Sequence, residues 1–285
     1  QFTSPVKSPQ GLSYANELII PFLNTGAKVH QHFSDDPQKN IVAPPIKRRF
    51  SPGSQWLSLK IYTGNTAVET LLTEHLLPEI EQSSSLFQKW FFIRYGDPDW
   101  HLRIRFFGEP SELYGQLLPR LNALLDPMVE NNEIHKVELF TYEREVERYG
   151  GPDAMALVEN LFMADSQLVV ATMKLETEFN DDVRWRVVLL MTDLLLNEFE
   201  FDAKEKLNLI SGLRAGFGKE FNEASQLRKQ LGDKYKKIQV QLLSDFSQIK
   251  IQPQVGLTLE QQHIFEIVGI WQKQVSPIIK RLNQL

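Results

Sequence analysis

The sequence predicts an α+β protein, a ferredoxin-like βαββαβ antiparallel sheet followed by a mostly α-helical second half. Three observations lead there. Residues 56–143 run strand, helix, strand, strand, helix, strand when periods of two and of 3.6 are compared. A Gly-Gly at 150–151 then punctuates the chain. Beyond it, long segments keep apolar residues at helical spacing.

Taken in order, residues 1–17 have the Ser- and Pro-rich composition of a linker. LIIPFLNT (18–25) reads as a short buried strand. His30 and His32 would share one side of an extended segment, but no third ligand is near, so a loop is expected there rather than a metal site. WLSLKIYT (56–63) is a strand, and 66–82 a helix with apolar residues at 68, 71, 72, 76, 77 and 80. KWFFIRY (89–95) and HLRIRFFG (101–108) are strands joined by the turn residues GDPDW. A second amphipathic helix covers 111–130, with Ser111 as its N-cap and a kink at Pro119. HKVELFTYE (135–143) is the fourth strand.

The helical half follows. Residues 152–179 begin with a proline suited to a first turn. Residues 183–200 are apolar over most of the helix circumference and predict a buried helix. Residues 204–246 read as two or three helices interrupted near Gly216 and Gly218, and 259–285 as a last helix bent at Pro277. The expected division is 1–47 as linker and remnant of a preceding domain, then 48–285 as one domain with a sheet part at 56–150 and a helical part at 151–285.

Composition narrows the function. With 285 residues, the chain can bury a sizeable core. Its net charge of −5 argues against a dedicated nucleic-acid binder. Having no cysteine, it can form no disulfide, thiolate nucleophile or cysteine metal site. No uninterrupted apolar run approaches the ~20 residues of a membrane span, and the start lacks signal-peptide order, so a cytoplasmic chain is expected. Gln1 in place of Met suggests a piece of something longer.

The chemistry gathers around residues 86–151. In WHLRIRFFG, His101, Arg103 and Arg105 alternate with Leu102, Ile104 and Phe106, so a strand puts the three polar side chains on one face. YEREVERYGG adds Glu143, Arg144, Glu145, Glu147 and Arg148. Arginines facing acids make either an ion-pair lattice or an anion pocket. Neighbouring positive charge should favour neutral His101, a form able to accept a proton. Arg103 and Arg105 can grip a carboxylate or stabilise a developing oxyanion. The common nucleotide, hydrolase and zinc-protease motifs are missing. Elimination and acyl chemistry on an anionic substrate both remain open.

KWFFIRYGDPDWHLRIRF, TYEREVERYGG and FMADS (162–166) together resemble the C-terminal elimination domain of lantibiotic dehydratases of the LanB type, also called the thiopeptide-type bacteriocin biosynthesis domain. The resemblance runs from about Arg48 to the end and is closer in the first half. ELIIPF at 17–22 is similar to the last piece of the glutamylation domain that precedes it in the full-length enzymes. The resemblance implies a lyase that removes glutamate from glutamylated Ser or Thr of a ribosomal precursor peptide, leaving dehydroalanine or dehydrobutyrine. It implies that Arg103, Arg105, Glu145 and Arg148 are functional; with His101 added from its strand face as a catalytic candidate, the roles expected are arginines binding the glutamyl carboxylate and the enolate-like oxygen, and Glu145 orienting an arginine or a proton-transfer partner. No cofactor or metal is implied for this domain, since glutamyl-tRNA is used by the separate glutamylation domain. Implied partners are the glutamylated precursor peptide, that glutamylation domain, a second copy in a homodimer, and a lanthionine cyclase, with no direct nucleic-acid contact and no membrane insertion. The family carries a further histidine in an H-M-x-x-N-R segment near its C-terminus, and this sequence holds no such segment: either the chain stops short of it, in which case poor elimination is expected, or His101 or another group takes its place. Two alternatives stand beside this reading: a thiopeptide pyridine-synthase-like cyclase, and a non-catalytic precursor-peptide-binding module.

Overall fold

A computed structural model of the chain describes residues 46–220, 225–250 and 256–285, and Pro45–Leu285 form one compact unit. The expected strand at 18–25 and the His30–His32 pair lie outside the described residues. The architecture is α+β. After β1 (Arg49–Phe50) come β2 (Trp56–Tyr62), helix α1 (67–82), β3 (Lys89–Tyr95), β4 (His101–Phe107), helix α2 (110–130), β5 (Lys136–Leu139) and β6 (Tyr142–Glu143). Strands β3-β4-β2-β5, in that spatial order, make one sheet in which every neighbouring pair is antiparallel, and β1 and β6 make a separate two-stranded ribbon.

Period-two alternation sorts the sheet's two faces. Leu57, Leu59 and Ile61 on β2 and Leu102, Ile104 and Phe106 on β4 point into a core closed by α1 and α2, and each is 1% exposed or less. Removing each such side chain from water stabilises the fold by ~1.5–3 kcal/mol. Both covering helices contain a π-helical turn, Leu71–Leu76 and Leu113–Leu117, just ahead of Pro78 and Pro119. A proline lacks the N–H of the helical ladder and its ring crowds the preceding turn, so the widened turn absorbs both and the expected kink becomes a local bulge. The second helix starts at Pro110 with Glu109 before it, not at Ser111. Pro110, already fixed near helical φ, takes the first position and leaves Ser111 inside the turn.

The fourth expected strand divides. Pairing with β2 ends near Phe140, and Tyr142–Glu143 crosses to pair with Arg49–Phe50. The Tyr142 ring is drawn into an aromatic cluster, with ring centroids 4.9 Å from Trp56 and 6.1 Å from Phe50. That ribbon was invisible in the sequence because neither of its two-residue strands is long enough to show a period.

Helix α3 (Pro152–Glu178) serves both halves. Val170 and Met173 face the sheet core, whereas Ala164, Leu168 and Leu175 face a second core with α4 (Asp182–Glu198) and α7 (Leu259–Leu282). Ser166 Oγ accepts the Phe92 amide at 3.1 Å, which closes the β3 edge of the sheet. By length and composition α3 is apolar enough to cross a membrane, contrary to the expectation from uninterrupted runs; here its apolar residues fill the two cores.

Helix α4 is buried on one side only. Val187 and Leu190 are in the core, while Trp185, Val188 and Leu189 are exposed, because α3 and α7 cover a single face. In that buried face lies Arg186, 2% exposed, which donates to Asp245 at 2.6 and 3.0 Å and to Glu260 at 2.5 Å. α5 (Ala203–Glu220) runs on through Gly216 and Gly218, where an interruption was expected, and α6 (Ser225–Gln248) follows. A glycine inside a helix costs only about 1 kcal/mol and does not by itself end it. Thr258 and Gln261 form a capping box at the start of α7, which continues past Pro277.

Candidate functional site

The sheet face opposite α1 and α2 carries the expected cationic strand. Across the sheet, Tyr95, His101 and Tyr62 form one rung, Ile93, Arg103 and Lys60 the next, and Phe91, Arg105 and Ser58 the third. Successive rungs lie about 7 Å apart.

His101 is 1% exposed, and both ring nitrogens are engaged. Nδ1 lies 2.7 Å from the Asp99 carbonyl oxygen, and Arg103 Nε donates to Nε2 at 2.9 Å. Arginine Nε–H is only a donor, so Nε2 presents its lone pair and the ring proton sits on Nδ1, donated to Asp99. The imidazole lies between the rings of Tyr62 and Tyr95, at centroid distances of 4.8 and 5.6 Å. The lone pair with which His101 was expected to accept a proton here accepts the Arg103 Nε–H.

Arg103 lies over Tyr95, its guanidinium carbon 3.8 Å from the ring centroid. Arg105 sits among Tyr142, Phe140 and Phe91, at 4.7, 5.3 and 5.4 Å from their centroids. Its Nε is buried with no hydrogen-bond partner. Burial lowers the Arg105 pKa to about 10, partly offset by the attraction of Tyr142 and Glu145, so the group stays cationic at neutral pH. Among the described residues, neither Arg103 nor Arg105 has a carboxylate within ion-pair distance. Cation–π contact of this kind holds a guanidinium without neutralising it.

The other arginines behave differently. Arg144 grips Glu159, 1% exposed, through Nε at 2.6 Å and Nη2 at 2.8 Å, and Tyr142 donates its phenol to the same carboxylate at 3.1 Å. Arg49 pairs with Glu143, and Arg48 with Glu147. Of the two outcomes open to the sequence, the ion-pair lattice is present at the ribbon, and beside it Arg103 and Arg105 have no acid partner among the described residues.

Glu145 and Arg148 lie in the turn before α3 and pair with each other at 3.0 Å, both exposed. Val146, fully buried, anchors this turn, and Gly150 and Gly151 close it with φ of +86° and +94°, a region open mainly to glycine. The Glu145 charge acts on Arg105, but among the described contacts neither Glu145 nor Arg148 bonds to Arg103 or Arg105. The turn thus places a second arginine–acid pair near the face without joining it. Sequence reasoning missed the cage residues Phe91, Phe140, Tyr142 and Tyr95. Phe140 and Tyr142 could have been found from the alternation, since they keep the parity of Lys136 and Glu138. The rim of the face stays apolar and open, with Ile93 47% and Tyr95 38% exposed. Among the described residues, no group of three or more His, Asp or Glu is placed to hold a metal.

Comparison with known proteins gives the following. Residues 56–285 match the family described as "Lantibiotic biosynthesis dehydratase C-term". The chain is 31% identical over 204 residues to the nisin biosynthesis protein NisB of Lactococcus lactis and 28% identical over 207 residues to the subtilin biosynthesis protein SpaB of Bacillus subtilis. These alignments cover 68% and 69% of this chain but 19% of either relative, so the chain spans about a fifth of their length. Its fold is similar to that of the tRNA-dependent lantibiotic dehydratase MibB from Microbispora, with a TM-score of 0.62 at 18% identity, over 84% of this chain and 24% of that one. It is also similar to the pyridine synthase TbtD from thiomuracin biosynthesis, with a TM-score of 0.54 at 13% identity, over 80% and 81% of the two chains.

Proposed function

Because the chain belongs to the lantibiotic biosynthesis dehydratase C-terminal family, we propose that it eliminates glutamate from glutamylated Ser or Thr of a ribosomal precursor peptide. The observation that carries this reading is the pair Arg103 and Arg105 on one sheet face, cationic and without acid partners among the described residues. Strand order β3-β4-β2-β5 with two covering helices supports the ferredoxin-like reading of the sheet.

In the proposed step a general base takes the Cα proton of the esterified residue, the freed electron pair forms the Cα–Cβ double bond, and the Cβ–O bond breaks to release glutamate. Hydroxide is a poor leaving group, whereas a carboxylate met by a guanidinium leaves readily. Arg105, fixed in its aromatic cage, stabilises one developing negative oxygen, and Arg103 on Tyr95 the other. Arg148, held by Glu145, adds positive charge from the turn. The open rim at Ile93 and Tyr95 gives the peptide an apolar shelf. Glutamyl-tRNA is used by a separate glutamylation domain, and this domain needs no cofactor or metal and works in the cytoplasm. The domain is proposed to begin near residue 48, and its partners to be that glutamylation domain, a second copy and a lanthionine cyclase.

The test is incubation with a synthetic precursor peptide bearing one glutamyl-Ser ester, followed by mass spectrometry. Loss of glutamate with appearance of dehydroalanine, abolished by Arg105→Gln, is the expected result. A bound peptide whose ester stays intact would overturn the reading in favour of a binding module. The TbtD-like fold favours one further reading, cyclisation, which predicts that the ester stays intact while a peptide already bearing two dehydroalanines is converted.

A further inference from the structure

We infer that His101 is a positioning residue for Arg103, setting the direction in which that guanidinium presents its charge, and that it takes no proton from substrate. The inference rests on the elimination reading for what Arg103 acts upon, but its geometry stands by itself. A cation–π contact sets how close a guanidinium lies to a ring but does little to set which way its N–H groups point. Arg103 rests on Tyr95 at 3.8 Å in this way, with no carboxylate among the described residues to fix its rotation. The Nε–H bond to His101 Nε2 at 2.9 Å removes that freedom. Bonding at Nε also leaves the two terminal nitrogens, the edge suited to two-pronged carboxylate binding, turned away from the histidine.

His101 is itself fixed from every side. Its Nδ1–H is donated to the Asp99 carbonyl at 2.7 Å, which determines the tautomer that leaves Nε2 able to accept. Tyr62 and Tyr95, its partners on the same rung, lie against the ring at 4.8 and 5.6 Å. The Tyr62 phenol is in turn tied to Glu138 at 3.1 Å, and Lys136 lies over the Tyr62 ring at 4.2 Å. At 1% exposure the imidazole has no open edge toward a peptide. The order of support runs from the Asp99 backbone through His101 to Arg103, with the substrate beyond.

Two measurements test this. In the intact chain labelled with 15N-histidine, the His101 resonances, assigned by their loss in His101→Gln, should report a protonated Nδ1 and an unprotonated Nε2, and Arg103→Ala should move the Nε2 signal. A protonated Nε2 in the unmodified chain would overturn the inference whatever the chain catalyses. With the glutamyl-ester peptide, His101→Phe should lower kcat ~10- to 100-fold, the range for losing a hydrogen bond to a charged group, with little change in KM. His101→Gln keeps an acceptor near the Nε2 position and should recover most of the loss; a general base could not be replaced in this way. Elimination by the unmodified chain with full activity in a folded His101→Phe would sink the inference and leave the proposed function standing. No elimination by the unmodified chain would instead sink the function, and the tautomer measurement would decide the inference alone.

Discussion

Arg144 holds the buried Glu159 carboxylate by two nitrogens, at 2.6 and 2.8 Å. Arg105 is instead held among the rings of Phe91, Phe140 and Tyr142. Tyr142 touches both, donating its phenol to Glu159 and lying 4.7 Å from the Arg105 guanidinium. One arginine is thereby committed to an ion pair within the fold, and the other has no acid partner among the described residues.

Replacing the two arginines should separate these roles. Arg105→Gln leaves no acid stranded, so thermal unfolding should stay close to that of the parent while turnover on the glutamyl-ester peptide is lost. Arg144→Gln leaves Glu159 buried and unpaired, which costs ~3–5 kcal/mol. Melting followed by circular dichroism should show a clear drop for the second variant only, and an equal drop for both would refute the distinction.

Tyr142 offers a finer dissection. Tyr142→Phe removes the phenol bond to Glu159, worth ~0.5–1.5 kcal/mol or somewhat more with a charged acceptor, and keeps the ring over Arg105. Stability should fall slightly and turnover should hold. Tyr142→Leu removes the ring as well, so anion affinity should fall beyond the change in stability.

Arg105 should impose an alkaline limit on anion binding. Its pKa, lowered to about 10 mainly by burial, means that the cation persists through neutral pH and is lost as pH rises through that value. Glutarate affinity, measured calorimetrically, should be flat from neutral pH and decline near pH 10. In Arg105→Lys the limb should move to lower pH, because burial lowers a lysine from a lower starting value. A limb that stays in place would assign it to another group.

Glu69 links the sheet to the helical half and should give an acid limb in stability. Arg184 and Arg94 both bond to it, at 2.9–3.0 Å, and the bond to Arg184 is the main reason its carboxyl sits below the ordinary 4.5. A lowered carboxylate pKa means that the contribution is fully present above pH 4.5 and is lost as pH falls through the lower folded value. The difference in Tm between the parent and Glu69→Gln should therefore be constant near neutral pH and shrink in acid.

The buried triad in the helical half, Arg186 with Asp245 and Glu260, makes a fifth test. Asp245→Asn weakens the acceptor of both Arg186 bonds at a site with no solvent to compensate. Breaking such a pair costs ~3–5 kcal/mol. The triple change Arg186→Met, Asp245→Leu and Glu260→Gln should recover much of that loss in denaturant unfolding, since no member of the triad is then left charged and unpaired.

How far the sequence could be read depended on the range of the interactions concerned. Alternation in HLRIRFF put His101, Arg103 and Arg105 on one face, because side chains in a strand alternate by geometry alone, and 3.6-residue spacing gave α1 and α2 for the same reason. Places where local signals competed were read less well. Glycines at 216 and 218 did not stop α5, Ser111 yielded the helix start to Pro110, and two prolines were absorbed by π-helical turns rather than kinks. The apolar surface of α4 also looked uniform in sequence, since only its neighbours decide which side is covered.

What the sequence by itself determined was therefore the cationic strand, the order of strands and helices, and the identity of the charged residues. Only the tertiary structure decided which charges neutralise one another. Arg144 and Glu159 meet across 15 residues and Arg184 and Glu69 across 115, whereas Arg103 finds the lone pair of His101 two residues away and Arg105 finds rings from β3, from β6 and from the link between β5 and β6. A guanidinium is charged wherever it stands in a sequence. Whether it is spent on an ion pair or left facing an anion depends on what long-range packing brings within about 4 Å of it, the distance at which charges in a partly buried site interact strongly.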